Sequence, residues 1–236
     1  MLISSYHERQ TRNSEKIRQL LNFPKEETYS DFKTLMQLFS FRDHKSLYSL
    51  LAKMERMGLI QKHMLESRTI KISLWGITSD GLAAVLTPND KISFLRGLNH
   101  QNHRLTLEHH LDNQAARLIL EKKGASGWIN GDRASFLSQY QVKHRPDGLL
   151  TLPDGNVIAI ETERRLKTRA RYQSIIASHL LARTNKYWIY YVVPDDRRSV
   201  RLNCCLTVSG MSSSTISTSR WKNATVGCFA FIPLMN

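Results

Sequence analysis

The residues with the clearest chemical potential are Asp147, Glu161 and Glu163. Asp147 stands in Arg145-Pro146-Asp147-Gly148, and Glu161-Thr162-Glu163 follows after the turn Pro153-Asp154-Gly155. On an extended strand, residues i and i+2 share a face about 6.6 Å apart, so the two glutamates project together. Pro-Asp-Gly is strong turn chemistry and folds the strand after Asp147 back alongside them. Three carboxylates on one sheet face repel unless a cation sits among them. Hard oxygen donors then favour Mg2+ or Mn2+ over zinc. Beside a phosphodiester, such an ion polarises the phosphoryl oxygen and stabilises the leaving oxygen. The bland alternative makes Asp147 and Asp154 turn residues and the glutamate pair a solvated edge.

Cations surround these acids. Arg164, Arg165, Lys167, Arg169 and Arg171 fall within one short stretch. A helix from about residue 166 to 183, with Leu166, Ala170 and Ala177 turned inward, leaves Arg164, Arg165, Arg169 and Arg171 lining the approach to the carboxylates. Guanidinium groups there hold DNA phosphate and offset its repulsion by an acidic site. The wider composition agrees. Lys and Arg number 34 against 20 Asp and Glu, a formal net charge of +14 over 236 residues. Such a surplus points first to nucleic acid. The sequence lacks an apolar run long enough to insert in a membrane and a secretion signal, and its three cysteines form no paired framework. These features predict a cytoplasmic, reduced protein.

Other side chains invite weaker readings. His100, His103, His109 and His110 cluster on helical spacing, which predicts solvated or capping histidines rather than a metal triad. Tyr140 and Tyr172 both lie near the acidic segment in sequence, and no rule selects either as a nucleophile, so activated water remains equally compatible.

Two domains must position these groups: residues 1–90 and residues 91–236. In the first, Phe32, Leu35, Met36, Leu38 and Phe39 mark one helix. A second, Lys45 to Met57, buries Leu47, Leu50, Leu51 and Met54. Gly58 occupies a C-cap position, and Leu59-Ile60 and 70–75 read as a hairpin with a polar tip at 66–68. After a linker at 87–90, a helix from residue 103, a strand at 126–130, two β-rich stretches at 141–152 and 156–162, the basic helix and a buried strand at 187–193 predict a mixed α/β domain. The Ser/Thr-dense stretch 207–219 reads as flexible, and Val226–Ile232 as a last strand.

Residues 45–60 and Leu74-Trp-Gly-Ile-Thr-Ser-Asp-Gly-Leu82 resemble winged-helix DNA-binding domains. The resemblance implies that Lys45, Ser46, Tyr48, Ser49 and Lys53 face the major groove, with Lys62, His63 and Arg68 on phosphate. Asp147, Glu161 and Glu163, in the order strand, hairpin, helix, strand, are similar to the PD-(D/E)xK nuclease core. That fold is the one expected for residues 91–236. Glu163 stands where the motif usually carries lysine, and Lys167 is the candidate replacement. The ordered set over residues 28–193 is similar to the replication-relaxation family, and within it to MobC-type plasmid relaxases. The likeness implies a metal-dependent endonuclease that nicks one strand at a plasmid transfer origin, with a relaxosome accessory protein and a coupling protein as partners. By motif position it implies that Asp147, Glu161 and Glu163 hold Mg2+ or Mn2+, with Lys167 assisting. It reaches His103 and Asp132 only faintly. The competing expectation is a non-catalytic winged-helix regulator or replication accessory protein.

Overall fold

A computed structural model describes residues 5–66, 71–88, 90, 103–181, 188–193, 195–207 and 228–233. The fold is mixed α/β, in two compact units, Met1–Asn99 and His100–Asn236. The units divide at 99/100, where the sequence reading puts 90/91.

The first unit opens with α1 (Tyr6–Glu27), an element its polar sequence conceals: its buried residues, Leu20, Leu21, Phe23, Pro24 and Glu27, all lie near its C-terminal end. The helix stops at Thr28, whose φ of 72° turns the chain into β1 (Tyr29–Asp31). Asp31 caps α2 (Phe32–Phe39) by accepting from the Thr34 N–H at 2.8 Å. Asp43 does the same for α3 (His44–Arg56), accepting from Lys45 N–H at 3.1 Å. Leu47, Leu50, Leu51 and Met54 form the buried face of α3, as their spacing predicts. Gly58, at φ +69°, supplies the left-handed residue that ends the helix. β2 (Ile60–Glu66) and β3 (Lys71–Ile77) then pair antiparallel, and β1 adds to the other edge of β3. Thr78 caps α4 (Ser79–Ala83) at the Gly81 N–H. A Cβ at Gly81 would lie 1.9 Å from the Leu59 carbonyl oxygen, so only glycine lets this turn close on the hairpin.

The second unit is a five-stranded sheet between helices. Its strands are β4 (Ser126–Asn130), β5 (Gly148–Thr151), β6 (Val157–Thr162), β7 (Trp188–Val193) and β8 (Cys228–Pro233), adjacent in that order. Neighbours are antiparallel except β6 and β7, which run parallel. A parallel pair needs a crossover, and α7 (Arg169–Leu181) is that crossover. Alternation along β6 divides the core. Ile158 and Ile160 pack with Trp128, Leu150, Tyr190 and Val192 against Ala116 and Leu120 of α5 (His103–Lys122). Ala159 packs with Ile189, Tyr191 and Val193 against Tyr172 of α7 and Leu202 of α8 (Asp196–Thr207).

Several boundaries differ from the sequence expectation. Residues 141–147 are not strand, and β5 begins only at Gly148. α6 (Ala134–Gln139) and α8 have no counterpart in the predicted elements. The inward face of α7 is Tyr172, Ile175 and Ser178, whereas Ala170 and Ala177 are exposed. The predicted alanine stripe fails because the bulkier residues fill the space above the sheet. The predicted flexible stretch lies almost wholly outside the described residues.

Candidate functional site

The sheet places the acids where β6 ends. Asp147 immediately precedes β5, and its backbone N–H donates to the Ile160 carbonyl at 2.9 Å, continuing the β5–β6 ladder by one residue. Its carboxylate then takes two partners. Oδ2 accepts from the Thr162 N–H at 2.6 Å, and Oδ1 lies 2.9 Å from His109 Nε2 on α5. Burial lowers the His109 pKa, but the hydrogen bond and charge of Asp147 outweigh it and leave the ring above its ordinary value.

Glu161 and Glu163 are 4% and 2% exposed, which removes the solvated-edge alternative. Both follow the Ala159 side of β6, toward Tyr191, whose phenol they help hold well above its usual range after burial itself. His144 Nε2 lies 3.1 Å from Glu161 Oε1, and the His144 N–H donates to Ser178 Oγ on α7 at 2.9 Å. Glu163 pairs with Lys167. Burial raises the Glu163 pKa; Lys167 opposes the rise, and Glu161 and Asp147 add to it. Glu163 thus feels both other acids, but the expectation of three carboxylates on one sheet face fails: Glu161 and Glu163 follow the α7 side of β6, whereas Asp147 turns to His109 of α5.

Arg164 departs most from expectation. It pairs with Asp112 and reaches Glu108 Oε2 at 2.6 Å, both on α5, so it fastens the β6 exit to that helix. Arg165, Arg169 and Arg171 are exposed. In the first unit Lys45, Ser46, Tyr48 and Ser49 are exposed on α3, whereas Lys53, expected outward with them, is half-buried. Tyr48 stacks on Phe32 at 4.4 Å, and Lys62 lies over the Trp75 ring. Arg68 and His100 lie outside the described residues; so does the side chain of His103. Asp132 lies 3.5 Å from Arg145 and 3.9 Å from His110. Tyr172 is fully buried and accepts from the Lys167 N–H, while Tyr140 is 38% exposed.

Sequence reasoning missed His109 and His144 as carboxylate partners. Helical spacing places His109 on a helix but gives no register across the 38 residues to Asp147.

Does this set suit a divalent ion? Among the described residues, no three His, Cys, Asp or Glu side chains gather into a group sized for one ion. One feature favours a ligand at the glutamates: the buried Tyr191 hydroxyl has no hydrogen-bond partner. A buried orphan hydroxyl costs about 1–3 kcal/mol, and a water or ion bound at Glu161 and Glu163 would offset it. Oxygen donors of this kind suit Mg2+ or Mn2+. No helix among the described residues is long and apolar enough to cross a membrane. No protein-family model, curated protein or solved structure matches the chain.

Proposed function

We propose that this chain is a DNA-nicking endonuclease of the relaxase type, with an N-terminal winged helix and a nuclease unit. The reading places it in the cytoplasm, acting at a plasmid transfer origin with an accessory protein and a coupling protein. The observation that carries it is the sheet end at which β5 begins and β6 finishes. There Glu163, paired with Lys167, stands in electrostatic range of both Asp147 and Glu161. The sheet supports it too: an antiparallel β4-β5-β6 run followed by a crossover helix and a parallel strand is the order of elements the PD-(D/E)xK resemblance implies.

Glu161 and Glu163, joined by Asp147 once it leaves His109, would hold Mg2+ or Mn2+, which supplies charge stabilisation at the scissile phosphate when bound. The remaining work belongs to the chain. His109 and the Thr162 N–H fix both oxygens of Asp147, and His144 orients Glu161. Such outer partners hold carboxylates in a productive rotamer. Lys167 neutralises Glu163 in the place of the motif lysine. Arg165, Arg169 and Arg171 take DNA phosphates, and burial of the glutamates keeps bulk water from their oxygens.

A second reading, a non-catalytic regulator, is favoured by one observation: each acid already has a basic partner, His109, His144 or Lys167. The two part on a supercoiled plasmid carrying a cognate origin, incubated with protein and Mn2+. The enzyme reading expects open-circular product that Asp147→Ala and Glu161→Ala abolish. Intact plasmid, or nicking by those variants at the wild-type rate, refutes it.

A further inference from the structure

The first three turns of α1 stand clear of the protein. Every residue from Tyr6 to Lys16 is exposed, and burial begins only at Leu20. Within this stretch Thr11 and Ser14 bond back to the helix's own carbonyls at His7 and Gln10. A helix polar all round has no packing reason to project from a domain, and a lone stretch of about a dozen residues is marginal in water. Its charges explain the projection better. Arg9, Arg12 and Lys16 recur at i, i+3 and i+7, within roughly 60° of arc at 3.6 residues per turn. Glu8 and Glu15 fall on the neighbouring strip. The cationic strip runs in line with Phe23 and Glu27, so it faces the side on which α1 meets the domain body.

Contacts fix where that strip leads. Lys16 Nζ lies 5.1 Å over the Phe41 ring, and Gln19 Nε2 donates to the Leu38 carbonyl at 3.5 Å. Both partners belong to the end of α2 and the turn into α3. Arg42, His44 and Lys45, all exposed, follow directly at the start of α3. Arg12 and Arg9 continue the same strip one and two turns N-terminal to Lys16, in the unit whose exposed α3 face carries Lys45, Ser46 and Ser49.

We propose that this exposed cationic strip is an arm that grips the DNA backbone: Arg9, Arg12 and Lys16 bind phosphates flanking the segment read by α3. The proposal rests on the DNA-binding reading of the first unit and adds to it a surface outside the helix–helix–hairpin body. Phosphate contacts of this kind position a protein without reading sequence, so they show in the salt dependence of affinity.

The test is a titration of full-length protein against a mixed-sequence duplex of about three helical turns at several salt concentrations. Arg9→Ala/Arg12→Ala should flatten the plot of log affinity against log salt by about 2 units of slope, near 0.9 per lost phosphate contact. Arg9→Lys/Arg12→Lys should keep the wild-type slope, because lysine neutralises phosphate equally. Amides of residues 6–16 should gain exchange protection when duplex is added. If wild-type protein binds with a steep slope and the alanine variant matches it, the arm is refuted while DNA binding stands. If wild-type protein shows no salt-dependent binding, both fall together.

Discussion

His109 on α5 and Asp147 at the head of β5 meet at 2.9 Å, and the second oxygen of Asp147 closes on the Thr162 N–H. One carboxylate thereby ties a helix to the ends of two strands. Asp147→Ala strands a backbone donor and a raised-pKa imidazole together, and should cost about 2–3 kcal/mol in urea denaturation. Asp147→Asn, which still offers an oxygen to Thr162, should cost about half as much. Equal losses would show that the Thr162 bond contributes nothing.

The pH dependence of stability follows from two groups with the same sign. His109 sits above its ordinary 6.5 and Glu163 above its ordinary 4.5, so each takes up protons on folding. Their stabilisation is complete below those ordinary values and is withdrawn as pH rises through the folded values. In EDTA, the melting temperature should fall between about pH 6 and 8, and His109→Phe should flatten that fall. A melting temperature that rises over this interval contradicts the assignment.

Lys167 and Glu163 should behave as an unequal pair. Lys167→Met leaves a nearly fully buried carboxylate without its cation and should destabilise by about 3 kcal/mol. Glu163→Gln removes a charge that burial disfavours, so it should raise the melting temperature at pH 7. The double variant should lose less than Lys167→Met alone. Thermal melts of the three proteins decide it.

Arg164 and its neighbours should separate by function. Arg164→Ala breaks its pairing with Glu108 and Asp112 and should lower stability with little change in the salt slope of DNA binding. Arg165→Ala/Arg171→Ala should do the reverse, losing about 2 units of slope with an unchanged melt.

Gly148 faces the indole of Trp128; a Cβ there would stand 2.2 Å from the ring. Gly148→Ala should therefore cost about 2–3 kcal/mol, and Trp128→Leu in the same chain should recover part of it. Absence of recovery would place the strain elsewhere.

How much of this was legible in the sequence depends on range. Local signals were readable: Leu47, Leu50, Leu51 and Met54 as the buried face of α3, Gly58 as a stop, Pro153-Asp154-Gly155 as the β5–β6 turn, and the apolar run of β7. α1 was not, because its buried residues crowd into its last turns and give no repeating stripe. Ala170 and Ala177 misled because small residues tolerate either face, whereas Tyr172 and Ile175 do not. At the site, residue types and strand parity placed Glu161 and Glu163 together. Which cation each acid would meet depended on how α5 and α7 dock, and no local pattern encodes that.

The link between β6 and α7 leans two ways within two residues: Glu163 turns toward Tyr191 and Lys167, and Arg164 reaches across to α5. A segment anchored to opposite layers has little room to adapt its shape to an incoming strand. Under the proposed function, recognition at this edge is rigid, with the nucleic acid doing the bending and the protein serving as the mould.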